Sequence, residues 1–136
     1  MPDVFTPEER SRIMAKVHGA NTAPEKTVRS LIHRMGYRFR LNVKELPGKP
    51  DIVLPRHKKI ILIHGCFWHQ HEGCPQAARP TSNIDYWNKK LDRNMIRDSG
   101  NMQKLEYLGW NVLVLWECEI KKHDLLLEQL TSFLSA

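Results

Sequence analysis

The sequence predicts an α/β fold in which helices sandwich one small mixed sheet. Three observations carry this. Helical and strand-like segments follow one another as helix, strands, helix, strand, helix. The strand-like segments are short and apolar, and the longest helical stretch is amphipathic along its whole length. A chain of 136 residues, 41% of them hydrophobic, has material for one core, so residues 1–136 read as a single domain.

The elements follow in order. "TPEE" at 6–9 is a helix start, with Thr6 as N-cap, Pro7 in the first turn and Glu9 closing a capping box. "TAPE" repeats the signature, with Thr22 and Glu25 bracketing Pro24; Val28, Leu31, Ile32 and Met35 follow at helical spacing and Gly36 stops the helix. "YRFRL" alternates with period two, as a half-buried strand does. "DIVLP" and "IILIH" flank a short turn and read as an antiparallel pair. Residues 83–108 form a long amphipathic helix, disturbed at Ser99-Gly100 and closed by Gly109. "WNVLVLWE" is a continuous apolar run, expected as a strand buried on both faces, and a helix over about 124–134 completes the fold.

Composition narrows the function classes. The apolar runs are too short for a membrane-spanning helix, and "MPDVFTPEER" lacks the apolar stretch of a signal peptide, so a cytoplasmic protein is expected. There cysteines stay reduced and serve metal binding or catalysis, and three of them cannot all pair with one another. A net charge of +6 and a pI near 9.4 favour polyanionic partners.

The richest chemistry lies in "IHGCFWHQHEGC", residues 63–74. Structural zinc takes four tetrahedral ligands, mostly Cys or His. Cys66 and Cys74 supply two and Cys118, at the end of the later strand, a third. His69 and His71 compete for the fourth place, and an interval of two residues does not separate them. Four protein ligands would close the site, making the zinc structural rather than catalytic.

"GKPDIVLPRHKKIILIHG" carries a second signal. A Pro-Asp opening one strand, beside a strand with polar groups at its end, suits a metal-dependent nuclease. Magnesium prefers oxygen ligands, binds through a few carboxylates plus phosphate oxygens, and activates an attacking water. Asp51 is the natural anchor. The customary acid-x-lysine is absent; "LIH" takes its place, with His64 where the lysine would stand. Glu25, also a good first-turn capping residue, could join Asp51, His64 and His69 in one acid–base cluster.

The blocks "RSRIMAKVHGANTAPE", "LPGKPDIVL", "IHGCFWHQHEGC", "YWNKKLDRN" followed by "RD", and "LGWNVLVLWEC" cover nearly all of residues 8–120 in order. In these the chain resembles the very short patch repair (Vsr) endonucleases. The resemblance implies a restriction-endonuclease-like α/β/α sandwich and an enzyme that nicks one strand of double-stranded DNA; a nick on one strand requires only one active site, so a monomer is expected. The nick falls 5′ to the thymine of a T:G mismatch left by deamination of 5-methylcytosine, and it opens the way for downstream repair proteins. It implies catalytic Mg²⁺ on Asp51, with His69 as general acid or base and His64 and Glu25 as supporting residues. It implies structural Zn²⁺ on Cys66, His71 and Cys118, and so separates His69 from His71; Cys74 remains the fourth ligand from the count of nearby donors. Phe67, Trp68 and Trp87 correspond to aromatics that enter the duplex, and Met14 to a wedge from the other groove. Lys90 and Asn94 are candidate base contacts. Two departures from the family pattern stand out. Ile63 replaces a threonine, leaving its backbone carbonyl as the magnesium ligand, and Cys74 comes one residue later than expected, behind Gly73.

Wedging at a wobble pair has a physical basis, because stacking a ring on exposed bases offsets the unstacking of a step that is already weak. For Trp110 and Trp116, core packing is the expected role. Competing functions are a nuclease of the same fold that needs no mismatch, a zinc-stabilised DNA-binding module without catalysis, and a zinc hydrolase. The acids and histidines argue against the second, and the closed ligand count against the third.

Overall fold

The computed structural model describes residues 22–136. The helix start at Thr6 and the wedge Met14 lie outside the described residues.

Helix α1, Ala23–Arg34, begins after Thr22 in extended conformation. The expected capping box does not close: Thr22 makes no side-chain cap bond, and the Glu25 carboxylate accepts from Arg29 one turn on, at 3.1 Å. Strands β1 (Arg40–Leu41), β2 (Ile52–Leu54), β3 (Lys59–His64) and β4 (Asn111–Trp116) form one sheet in the order β1-β2-β3-β4. The first two pairings are antiparallel and β3–β4 is parallel, so the sheet is mixed. The parallel pair needs a long crossover, which includes helix α2, Ile84–Tyr107. A short helix α3 (Glu117–Ile120) and α4 (His123–Ser135) follow β4.

Alternation along the strands divides the core into two clusters. Ile52, Leu54, Ile61 and Leu115 join Val28, Leu31 and Ile32 of α1 and Leu126, Leu130 and Leu134 of α4. Val53 and Ile60 point the other way and meet Val43 and Leu105 of α2. No described helix is long and apolar enough to cross a membrane.

The structure corrects three further sequence expectations. "YRFRL" gives only a two-residue strand with both residues exposed; Tyr37 and Phe39 pack on the first cluster before the ladder begins. Helix α2 runs unbroken through Ser99-Gly100, since a glycine in an otherwise favourable helix costs only about 1 kcal/mol. Strand β4 is not buried on both faces: it lies at the end of the strand order, and Leu115 alone of its residues is buried. Its apolar run feeds Leu113 to one cluster and Val112 to the other, and among the described residues no further strand pairs with it.

Lys59 opens β3 and is buried, with its ammonium donating to the carbonyls of Phe133 (2.6 Å), Leu134 (3.2 Å) and Ala136 (2.8 Å). It thus satisfies the acceptors that the end of α4 leaves unpaired, and ties the C-terminal helix to the strand that carries His64.

Candidate active site and metal centre

The site is built where the parallel pair β3–β4 ends. His64 closes β3 in register with Trp116 of β4, and the chain then winds into the loop 65–74. Tight turns hold this loop: His69 N–H donates to Gly65 O (3.1 Å), His71 N–H to Cys66 O (3.0 Å) and Cys74 N–H to His71 O (3.2 Å). Between the two histidines stands Gln70 with φ +51°. A left-handed residue there breaks the rule that i and i+2 share a side, so His69 and His71 face different groups. The conformation is unfavourable for a side chain other than glycine, and Gln70 is held in it by its neighbours. Its amide donates to Phe67 O (2.7 Å) and Ala77 O (3.0 Å), and its oxygen accepts from Arg79 Nε (2.9 Å). Arg79 in turn donates to Asn88 (2.9 Å) and Asp92 (2.8 Å) on α2. Gly73, at φ +76°, makes the second reversal and returns Cys74 toward Cys66.

On one side of the loop, Cys66, His71, Cys74 and Cys118 present ligand atoms all within 4.8 Å of one another. His71 Nδ1 lies 3.7 Å from Cys66 Sγ and 3.4 Å from Cys118 Sγ. Zinc bonds of about 2.3 Å to sulfur and about 2.0 Å to nitrogen give tetrahedral edges of about 3.5–3.8 Å, so the donor set fits zinc in chemistry and size. Without a cation the thiols compete for protons. Burial, aided by the Cys118 and Cys74 thiols, pushes Cys66 up to about 12. Burial also raises Cys74, but is outweighed by hydrogen bonds from Gln76 and Ala77 backbone and from the other two thiols, which bring it below the usual range.

On the other side, His64, His69 and Asp98 form a second group within 4.8 Å. The two imidazoles stack at 3.9 Å between centroids and 6° between planes. His69 Nδ1 lies 2.5 Å from Asp98 Oδ2. These residues line a cleft of about 790 Å³ together with Glu25, Asp51 and Trp68. Asp51 Oδ2 accepts from the Ile63 N–H at 2.8 Å. Desolvation raises Asp51 from 3.8 to about 6, with the Glu25 charge adding to it; the Ile63 hydrogen bond, His69 and Arg29 oppose it. A half-buried carboxylate in this state is one that a bound cation relieves, and its hard oxygen suits magnesium.

The structure therefore brings Glu25, Asp51, His64 and His69 to one cleft and the four candidate zinc ligands to one cluster. Asp98 is a member that sequence reasoning missed. It lies on α2, 29 residues beyond His69, and no spacing rule joins a loop to a helix so far on; the "RD" that contains it carried no role by itself. The aromatics form their own group: Phe67 meets Trp68 at 5.3 Å and Trp87 at 5.6 Å, nearly edge-to-face. Trp68 is only 7% exposed, so stacking on a base requires it to leave this packing. Lys90 Nζ sits 5.5 Å from the Trp68 ring centroid. Asn94, a candidate base contact, is buried, with its amide donating to Trp68 O at 3.1 Å. Trp110 packs on the second core cluster as expected, whereas Trp116 is half-buried and stacked on His71.

A family model described as DNA mismatch endonuclease Vsr matches residues 2–76, more than half the chain. The chain belongs to the Vsr family. It is accordingly a DNA endonuclease. It is 48% identical over 120 residues to the type II nicking enzyme V.XorIIP of Xanthomonas oryzae pv. oryzae, covering 88% of each chain. It is 44% identical to the type II nicking enzyme V.NmeAIP of Neisseria meningitidis serogroup A, covering 96% of this chain and 92% of that one. With the DNA mismatch endonuclease Vsr of Escherichia coli it shares 36% identity over 95% of this chain and 82% of the relative.

Proposed function

We propose that this Vsr-family endonuclease nicks one strand of double-stranded DNA 5′ to the thymine of a T:G mismatch, with catalytic magnesium and structural zinc. The observation that carries the reading is the division of one loop: His69 joins Asp98 in the cleft, while His71, two residues on, joins three cysteines. Asp51 and the Ile63 backbone carbonyl are the proposed magnesium ligands. Bound there, the cation would lower the pKa of an attacking water and neutralise charge on the departing oxygen. Asp98 fixes the His69 ring; with the Nδ1 proton donated to it, Nε2 carries the lone pair that accepts the proton of water. His64, stacked on His69, keeps that ring in plane, and Glu25 with His64 orients water beside Asp51.

Cys66, His71, Cys74 and Cys118 are the proposed zinc ligands, closing a loop too polar to hold its shape alone. Phe67, Trp68 and Trp87 are proposed to enter the duplex beside the mismatch, with Met14 from the other groove and Lys90 at the rim. The two core clusters, on opposite faces of the sheet, support a restriction-endonuclease-like sandwich in a single domain. One cleft is sufficient for one nick, so a monomer suffices.

A second reading has its own support: the relatives with 48% and 44% identity are named type II nicking enzymes. On it, the enzyme nicks a specific site without needing a mismatch. End-labelled duplexes carrying T:G or C:G at one position, with and without magnesium, decide the matter. Magnesium-dependent nicking of T:G alone supports the first reading. Equal nicking of C:G supports the second, and no nicking of either rejects both.

A further inference from the structure

The rings of the two clusters are not separate. Trp116, the last residue of β4, lies flat on His71, with 4.1 Å between centroids and 7° between planes. The same indole meets the His64 ring edge-to-face at 5.1 Å and 78°. His64 is stacked on His69, and His69 is bonded to Asp98 on α2. The sheet itself sets the spacing, since Trp116 and His64 are partners in the parallel β3–β4 ladder.

We propose that Trp116 is a positioning residue for strand nicking, which seats the His71 ring in the metal cluster and the His64–His69 pair in the cleft as one linked set of rings. The inference rests on the function proposed above. An imidazole on a strand end has an easy rotation about its last side-chain bond, with broad preferences. For His64 the near-perpendicular indole and the stacked His69 ring together remove that freedom. For His71 the indole face fixes the plane in which Nδ1 points between Cys66 and Cys118. A flat ring is needed for both tasks, and the reason for a tryptophan is its reach: one indole spans from one histidine to the other. Residues far from the chemistry matter in this way because a displacement of about 1 Å at a catalytic group can cost about 10²-fold in rate.

The test compares Trp116→Phe and Trp116→Leu with the parent chain. Three quantities are measured: zinc content, the single-turnover nicking rate with duplex affinity, and the NMR signals of the histidine ring protons. In the parent, ring protons of His71 should be shifted upfield by the indole face, and those of His64 should also carry a ring-current shift from the same indole. Trp116→Leu should keep one zinc per chain and duplex affinity, lose these ring-current shifts, and nick about 10- to 100-fold more slowly. Trp116→Phe should recover part of the rate and of the His71 shift. Full nicking by the leucine variant would overturn the inference while leaving the proposed function intact. Absence of the ring-current shifts in the parent would overturn it even if neither variant folded. Failure of the parent to nick any duplex would instead count against the proposed function.

Discussion

Asp51→Asn separates the chemical role of this carboxylate from its effect on stability. Burial lifts Asp51 from 3.8 to about 6, so the folded chain holds its proton more tightly than the unfolded chain does. Between those two values the folded state carries the extra proton. Stability therefore falls as pH rises through the window and stays lowered above it. At about 1.36 kcal/mol per pH unit between 3.8 and about 6, the ionised carboxylate costs the metal-free fold about 3 kcal/mol at pH 8. By the same linkage the cost is about half as large at pH 5. Asparagine keeps the shape and an oxygen for the Ile63 N–H, without the charge. In magnesium-free buffer, with no chelator so that the zinc cluster is undisturbed, urea unfolding should show the variant more stable by about 2–3 kcal/mol at pH 8 and by about half that at pH 5. Millimolar magnesium should stabilise the parent and leave the variant unchanged, and the variant should not nick DNA. A variant less stable than the parent at pH 8, or a difference independent of pH, would refute the account of Asp51 as a strained, cation-seeking carboxylate.

His69→Ala should keep zinc and duplex binding while nicking falls by about 10²–10⁴-fold, the size of a general acid–base contribution; His71→Ala should lose zinc and the folded state, as metal analysis and circular dichroism would show. A reversed pattern would exchange the two assignments. Lys59→Met removes a buried ammonium that serves three carbonyls and should cost about 1.5–3 kcal/mol in urea unfolding, with nicking at low temperature preserved; a variant as stable as the parent would show that the end of α4 finds other partners. Trp68→Ala should lose about 3 kcal/mol of stability because the ring is buried, more than a wholly exposed wedge would lose. Trp68→Phe, which retains most of the packing, should weaken binding to T:G duplexes by up to about tenfold, within the range known for base–aromatic stacking; unchanged binding would confine Trp68 to a packing role.

What could be read from the sequence depended on how local the signal was. The helix from Ala23, the β2–β3 pair and the long helix α2 carry their own periodicity, and the structure contains them. The sheet position of β4 was not readable, because an apolar run looks the same at an edge as in the middle; only the pairing order separates them. For the site, a crowded segment such as 63–74 announces itself, and Asp51 is marked by its place before a strand. Asp98, Arg79 and the stacked face of Trp116 are fixed by how α2 and β4 pack on that segment, which no interval in the sequence encodes. The setting of Asn94 was unreadable for the same reason: an exposed amide and one turned inward to a loop carbonyl differ only in the helix's rotation.

The loop's opposing histidines rest on a single backbone reversal. Without the left-handed Gln70, His69 and His71 would fall on one side of an extended segment, and cleft and metal cluster would compete for both. A glycine would enter that conformation freely but would have no amide to hold. Glutamine accepts the backbone strain and recovers it through bonds to Phe67, Ala77 and Arg79, while Arg79 fastens the whole turn to α2, the helix that carries Asp98. The residue that separates the two histidines is thus tied to the helix that orients one of them. Geometry at His69 then depends on both ends of the turn being held: the cysteine cluster at one end and α2 at the other.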